Sequence, residues 1–359
     1  MKIVIDARFT RLDQHDGISR YGASLIAATA KIADVSMLIS DPRQLDLLPD
    51  VPYTLINSPL SPAELFVAAK VNKLGADVVV CPMQTMGTFG RRYGLVLTLH
   101  DLIYYEHPAP PGFLPAPVRL LWRLYHKAYW PQRVLLNRAD VVATISHTTA
   151  ALITKHHLTK RPVRIVGNAP QQGHTPRDPG AGADKTLLYM GSFMPYKNVE
   201  TIIQGMAELP DMTLHLLSRI TPQRRAELED LAPAGAHIVF HNGVTDAEYE
   251  VLLARTTALV SLSRAEGYGL PLVEAMSHGT PVIASDIPIF REVGHDAVSY
   301  VHPGSPSEFA EAVRRLEVPE LWKARSQRSV ERAAEFSWEH SAQQLLQAAE
   351  EAVALRRRR

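Results

Sequence analysis

Short apolar runs alternate with helix-patterned stretches along this chain, and the alternation stops once and restarts. The first set of strand candidates is Lys2–Asp6, Val35–Ile39, Tyr53–Ile56, Asp77–Cys81, Leu95–Thr98 and Val141–Ile145. The second is Leu187–Met190, Thr213–Leu217, His237–His241, Ala258–Leu262 and Pro281–Ala284. Between the sets lies NAPQQGHTPRDPGAGADK, Asn168 to Lys185, rich in Pro, Gly and polar residues, which reads as a linker or loop. Apolar strands separated by helices demand parallel pairing, because a parallel connection needs a crossover that a helix supplies. The pattern therefore predicts an α/β chain with two doubly wound, Rossmann-like halves.

Helices are expected from about Ile18, with Asp16 or Gly17 at the N-terminus, and near Val199–Glu208, Pro222–Ala232, Asp246–Arg255, Pro271–His278 and Ser307–Leu316. The segment after Phe336 reads as one long helix ending in four arginines, a placement that suits a helix C-terminus. The domain reading is 1–167, 168–336, and a helix with a basic tail over 337–359. In open parallel sheets ligands bind outside the carboxyl ends of the strands, so functional residues are sought there.

Composition narrows the function. The 359 residues are 46% hydrophobic and 21% charged, ordinary for globular domains. The net charge is +1, with 38 basic and 37 acidic residues, so no global field favours nucleic acid. The one cysteine, Cys81, excludes an internal disulfide and suits a reducing cytoplasm. It lies in an apolar strand run and is expected buried and inert. Met1–Ala7 is too short for a signal-peptide core, and no apolar run reaches the roughly 20 residues that span a bilayer. The expected location is the cytoplasm, either free in solution or at the inner face of the membrane.

The most informative stretch is SRAEGYGLPLVEAMSHGTPVIAS, Ser263 to Ser285. It reads as the turn leaving a buried strand, a helix opening at Pro271 and closing at Gly279, and the next strand. Glycines at 267 and 269 let the backbone approach a ligand closely, and free N–H groups at a helix start favour an anion. Leu272 stands where a dinucleotide fingerprint would need a third glycine, which argues against a nicotinamide site. Glu266 sits at the strand end. Glu274 falls in the first turn, where a carboxylate can take two hydrogen bonds from a vicinal diol. From spacing alone, an acid pair, a phosphate-binding turn and an ordinary strand–helix joint all remain open.

The run EGYGLPLVEAMSHGTPVIASDIPIFREV resembles the donor-site signature of the GT4 family of retaining glycosyltransferases, which have the GT-B fold. DGISRYGASLIAA, LTLHDLIYYEHP, ADVVATISHTTAALI and LLYMGSFMPYKNVETII are similar to further family segments in the same order, and the subgroup suggested is mannosyltransferase-like. The resemblance implies two Rossmann-like domains facing across a cleft, an N-terminal acceptor domain and a C-terminal donor domain, with the last helix crossing back. It implies that Lys197 neutralises the donor diphosphate, Glu274 holds the ribose and Glu266 holds hydroxyls of the transferred sugar. The turn Gly267, Tyr268, Gly269 and Leu270 would contact sugar and phosphate, with Gly191 nearby. Gly17 would approach the diphosphate, and His100 would touch the sugar at the reacting carbon. On this implication the catalytic set is His100, Glu266 and Lys197, and Asp101 is a candidate acceptor contact.

One departure stands out. Where the family carries an arginine after the loop glycine this chain has Ser192, and where other members carry one before the lysine it has Tyr196. Arg264 or Arg219, both at strand ends, are the candidates for the missing cation; without one, donor affinity should be weak. No cofactor is implied beyond a GDP- or UDP-linked sugar as co-substrate, and no metal motif is found. Expected partners are that donor and a glycan or lipid-linked acceptor, with no nucleic acid. The lean is mannose from GDP-mannose. A non-catalytic sugar-nucleotide or glycan-binding module of the same fold is the alternative.

PAPVRLLWRLYHKAYWPQRVLLNR, Pro115 to Arg138, places Val118, Leu121, Trp122, Tyr125, Ala128 and Tyr129 on one helical face. That face is expected to pack on the N-terminal sheet. The neighbouring cations also suit contact with an anionic membrane surface.

Overall fold

The structure, a computed structural model, describes residues 1–110, 116–171, 173, 175–180 and 182–358. Pro115 and Arg359, and linker residues Gln172, His174 and Ala181, lie outside the described residues. The chain divides into two compact units. One holds Met1–Ala169 together with Ser337–Arg359, the other Pro170–Phe336.

Unit 1 contains strands β1 (Lys2–Asp6), β2 (Asp34–Ile39), β3 (Tyr53–Leu55), β4 (Val78–Cys81), β5 (Gly94–Leu99), β6 (Val141–Thr144) and β7 (Val163–Ile165). They form one sheet in the order β3-β2-β1-β4-β5-β6-β7, and every pairing is parallel. Unit 2 contains β8 (Asp184–Tyr189), β9 (Thr213–Leu216), β10 (His237–Phe240), β11 (Thr256–Ser261), β12 (Val282–Ser285) and β13 (Val298–Val301). Their order is β10-β9-β8-β11-β12-β13, again all parallel. Counted within each unit, both sheets follow the 3-2-1-4-5-6 order of a doubly wound nucleotide-binding fold. The strand order reverses beside the first strand of each sheet, between β1 and β4 in unit 1 and between β8 and β11 in unit 2.

The central strands are apolar on both faces because helices cover both. Val78–Cys81 and Thr256–Ser261 are buried at every position. Cys81 is fully buried, and burial pushes its thiol well up, so it behaves as a small core residue. β7, β13 and the Pro319–Ala333 helix were not read from the sequence. The two strands are short, and the helix is rich in arginine and glutamate with few apolar residues to set a period.

The last helix, Trp338–Arg357, lies against the Gly17–Thr29 helix and over β4, β5 and β6. It meets unit 1 through small residues, with Ala342, Ala348, Ala349 and Ala352 all fully buried. The closest approach is at Gly94, where a Cβ would lie 2.9 Å from the Ala352 carbonyl carbon. The tail is not simply solvated, since Arg356 donates from Nη2 to the Arg91 carbonyl, while Arg91 is itself paired with Asp140 at 2.6 Å. Gly94→Val should therefore force the helix off the sheet. The expected loss is about 1–3 kcal/mol, typical of overpacking, read as an earlier urea midpoint and more rapid proteolysis after Phe336.

Candidate functional site

In unit 2 the sequence-expected residues gather at the carboxyl end of the sheet. β11 ends at Ser261, and the turn that follows carries Glu266, Gly267, Tyr268 and Gly269. Gly269 takes φ 92°, a left-handed conformation that suits glycine, and a Cβ there would lie 2.7 Å from the Phe290 ring. This turn lets the helix start at once, at Leu270 rather than at Pro271, so Pro271 occupies the second helical position. Glu274 is consequently the fifth helical residue and lies one position beyond the first turn, a correction to the sequence expectation. It is partly buried. Tyr268 is buried with its ring edge-on to Phe336, so a ligand in this turn would meet its backbone rather than its ring.

Lys197 and Glu266 are brought together. Lys197 Nζ donates to Glu266 Oε1 at 2.5 Å, with side chains only 15% and 13% exposed. Glu266 is therefore not a solvated carboxylate. Its Oε1 also accepts from Ser263 Oγ at 3.0 Å, and Ser285 Oγ donates to the Ser263 carbonyl. Breaking such a pair from one side leaves a buried charge unmatched and costs about 3–5 kcal/mol. Lys197 Nζ stands 5.4 Å from the centre of the Tyr196 ring.

The loop bearing Lys197 is pinned by Asn198, which sequence reasoning missed. Asn198 is buried in a left-handed conformation, φ 56°. Its amide donates to the carbonyls of Leu262 at 2.9 Å and Pro303 at 2.6 Å. Its Oδ1 accepts from Thr201 Oγ1 at 2.9 Å and from Arg264 Nη2 at 3.1 Å. The lysine loop is thus fastened to the end of β11. The readable signal was Lys-Asn just before a helix, since asparagine tolerates the left-handed region.

Ser192 and the arginines named in the sequence lie as follows. Ser192 is exposed, and its carbonyl accepts from Tyr189 Oη at 2.6 Å. Burial, with Glu266 adding, pushes the Tyr189 phenol well up, so it stays a neutral donor. Gly191 N–H donates to Ser218 Oγ at 3.1 Å. Arg264 is exposed, and its backbone N–H donates to the Tyr196 carbonyl at 2.8 Å, which places it beside the lysine loop. Arg219 is also exposed, with its side chain lying close over Gly243. Arg224, absent from the sequence candidates, donates to the Phe193 carbonyl at 3.2 Å but is held by Glu200 and Glu227. Arg264 is thus the sequence candidate fastened to the lysine loop.

Gly17, His100 and Asp101 belong to unit 1 and lie at the carboxyl side of its sheet. Gly17 opens the Gly17–Thr29 helix, is exposed, and has nothing within 4 Å of a would-be Cβ. Asp16 caps this helix, accepting from Ser19 N–H at 2.9 Å. One turn along, the buried Tyr21 meets the His100 ring edge-on at 5.1 Å. The His100 Nε2 and the Pro82 carbonyl are 2.7 Å apart. A carbonyl only accepts, so Nε2 carries the proton and Nδ1 is the acceptor in the neutral ring. Burial lowers the His100 pKa. Asp101 Oδ1 accepts from Ile103 N–H at 3.0 Å. Among the described residues no group of three or more His, Cys, Asp or Glu is placed to hold a metal ion.

A family model described as glycosyl transferases group 1 matches residues 175–335. The O-antigen chain mannosyltransferase RfbU of Salmonella typhimurium is 25% identical over 330 residues, 84% of this chain and 87% of that protein. The serotype-specific mannosyltransferase WbdA of Escherichia coli is 36% identical over 107 residues, which is 29% of this chain and 12% of that protein. Among solved structures, sucrose-phosphate synthase from Thermosynechococcus elongatus superposes with a TM-score of 0.73 at 21% identity, covering 96% of this chain and 97% of that one. HepE of Anabaena, solved with UDP and glucose, gives 0.71 at 19% identity, covering 97% and 98%. Fold and matched domain together define a glycosyltransferase enzyme of the GT-B fold. Residues 175–335 thus match glycosyl transferases group 1, and the relatives named above are mannosyltransferases.

Two outcomes test the site's construction. Asn198→Ala should weaken nucleoside-diphosphate binding at least several-fold although Asn198 is buried, because two carbonyls lose their donor and the lysine loop loosens; calorimetric titration with GDP and UDP reads this. A histidine whose folded pKa is depressed contributes stability present above about pH 6.5 and lost as pH falls below it. His100→Gln keeps an N–H donor for Pro82, so the variant's melting temperature should fall less than the wild type's between pH 7.5 and 5.5.

Proposed function

We propose that the protein transfers a hexose from a nucleoside-diphosphate donor to a hydroxyl of a glycan or lipid-linked acceptor, with retention and without a metal ion. The donor we favour is GDP-mannose. The relatives named O-antigen chain mannosyltransferase and serotype-specific mannosyltransferase support the sugar, while the UDP complex of HepE makes uridine donors the comparison to run. The cytoplasm, at the inner face of the membrane, is where such an acceptor would be met.

The observation that carries this reading is the Lys197–Glu266 pair beside the Gly269 turn. The positive end of the helix at Leu270 and the Lys197 ammonium supply fixed positive charge for a departing diphosphate. Glu266 accepts hydroxyls of the sugar, Glu274 takes the ribose diol, and Arg264 adds the second cation. In the reaction the C1–O bond to the diphosphate breaks, and the acceptor oxygen bonds C1 from the same face. The acceptor proton passes to the leaving phosphate oxygen, so a strong protein base is not required. The two glutamates do not act as a glycosidase pair, since each serves a different part of the donor.

In the free protein Lys197 is neutralised by Glu266, so the donor must displace one partner of the pair. Glu266→Gln should then bind GDP or UDP several-fold more tightly than the wild type, yet lower transfer by roughly 10²–10³-fold as the sugar loses its anchor. Weaker nucleotide binding in Glu266→Gln would contradict the arrangement. The direct test is release of nucleoside diphosphate from GDP-mannose, UDP-glucose, UDP-galactose and UDP-GlcNAc, each with a pool of cell lipids and oligosaccharides. Release from GDP-mannose that depends on the pool and is lost in Glu274→Ala is expected. Release from a uridine donor alone would overturn the choice of sugar, and no release from any donor would count against transfer.

A further inference from the structure

The helix Ala116–Tyr125 is inside out for a helix of a water-facing domain. Its inward side carries Trp122, Tyr125 and, just past its end, His126, which meet Tyr104 and Tyr105 in a ring cluster; Trp122 and Tyr104 are 4.8 Å apart, His126 and Tyr105 5.1 Å. Arg119 Nε, Trp122 Nε1 and Gln132 Nε2 are buried there with no hydrogen-bond partner among the described residues. The aliphatic residues point the other way. Leu120 is 58% exposed, Leu121 65% and Leu124 54%, and Trp130, at the start of the next helix, is 65% exposed. The sequence reading had Val118 and Leu121 packed on the sheet; both are instead exposed, because the aromatic side chains fill the inward face first.

Charge says what covers this face. From His107 to Ala139 the chain holds no Asp or Glu and five Lys or Arg. Arg123 and Lys127 flank the leucines, and both are exposed. A protein partner of mixed charge would not need a stretch of chain without acids. A bilayer rich in anionic headgroups would, because apolar side chains enter the acyl boundary while cations meet phosphates. Trp130 is a residue type favoured at that boundary. The helix is far shorter than the roughly 20 residues that span a bilayer, and among the described residues no helix is long and apolar enough to cross a membrane.

We propose that the face of unit 1 formed by Leu120, Leu121, Leu124 and Trp130, with Arg123 and Lys127, docks in the plane of an anionic lipid surface. The lipid-linked arm of the acceptor reading above rests on such a contact, but the docking does not depend on which sugar is moved.

The test is sedimentation of the full chain with vesicles of phosphatidylcholine alone and of phosphatidylcholine with about one third phosphatidylglycerol. Binding to the anionic vesicles, weak binding to the neutral ones and release by salt are expected. Leu120→Ser with Leu124→Ser should lower anionic-vesicle binding at least tenfold, and Arg123→Glu with Lys127→Glu should do the same. All four side chains are exposed, so circular dichroism, melting temperature and GDP affinity should not change, which separates this result from a failed donor site. Wild-type protein that ignores anionic vesicles, or variants that bind as well as wild type, would overturn the proposal. So would a concentration-dependent dimer that the leucine substitutions dissolve, because the face would then be covered by a second copy.

Discussion

Parallel pairing is the constraint on which the rest depends. A strand that pairs in parallel with its neighbour must return over the sheet, so every strand of a sheet ends at the same edge. In unit 2 this brings the loop after β8, carrying Lys197, and the turn after β11, carrying Glu266, to one edge between adjacent strands. In unit 1 it brings the end of β5, with His100, beside the start of the Gly17–Thr29 helix that follows β1. The chemistry is not placed by loops of its own design. In unit 2 it is placed where the strand order reverses, between β8 and β11, and the loops only need the right residues.

Those residues are held by a layer of buried side chains behind them. Asn198 ties the lysine loop to β11 and to Pro303, Ser263 aims the Glu266 carboxylate, and Tyr21 packs the His100 ring. Each is buried, and each satisfies polar groups that would otherwise be left open in the interior. Such a layer fixes geometry at low reorganisation cost, which the proposed stabilisation of a leaving diphosphate would use. The short lysine–glutamate contact adds a condition, because the ligand must compete with a charge the protein already supplies.

Unit 1 shows a different balance. Its sheet and last helix close through glycine and alanine at Gly94 and Ala352, while the Ala116–Tyr125 helix leaves its leucines outside. A core that excludes three leucines in favour of tryptophan, tyrosine and histidine is not a packing failure, since those rings contact one another closely. It divides the helix between an aromatic anchor and an apolar outer face.

The sequence by itself determined the sheets and the order of the chemistry. Periodicity located β1 to β6 and β8 to β12 because buried parallel strands are apolar throughout, and the Pro- and Gly-rich break marked the change of unit. The Gly267–Gly269 turn and Glu266 were legible as a strand end running into a helix start, whereas Lys197 entered only through the family resemblance. The tertiary structure decided what spacing cannot express. It paired Lys197 with Glu266 across 69 residues, set Glu274 one residue past the first turn, made Asn198 a hub, and turned the leucines of the Ala116–Tyr125 helix outward. A period identifies which residues share a face, but which face is buried depends on the volume and shape of what the rest of the chain presents to it.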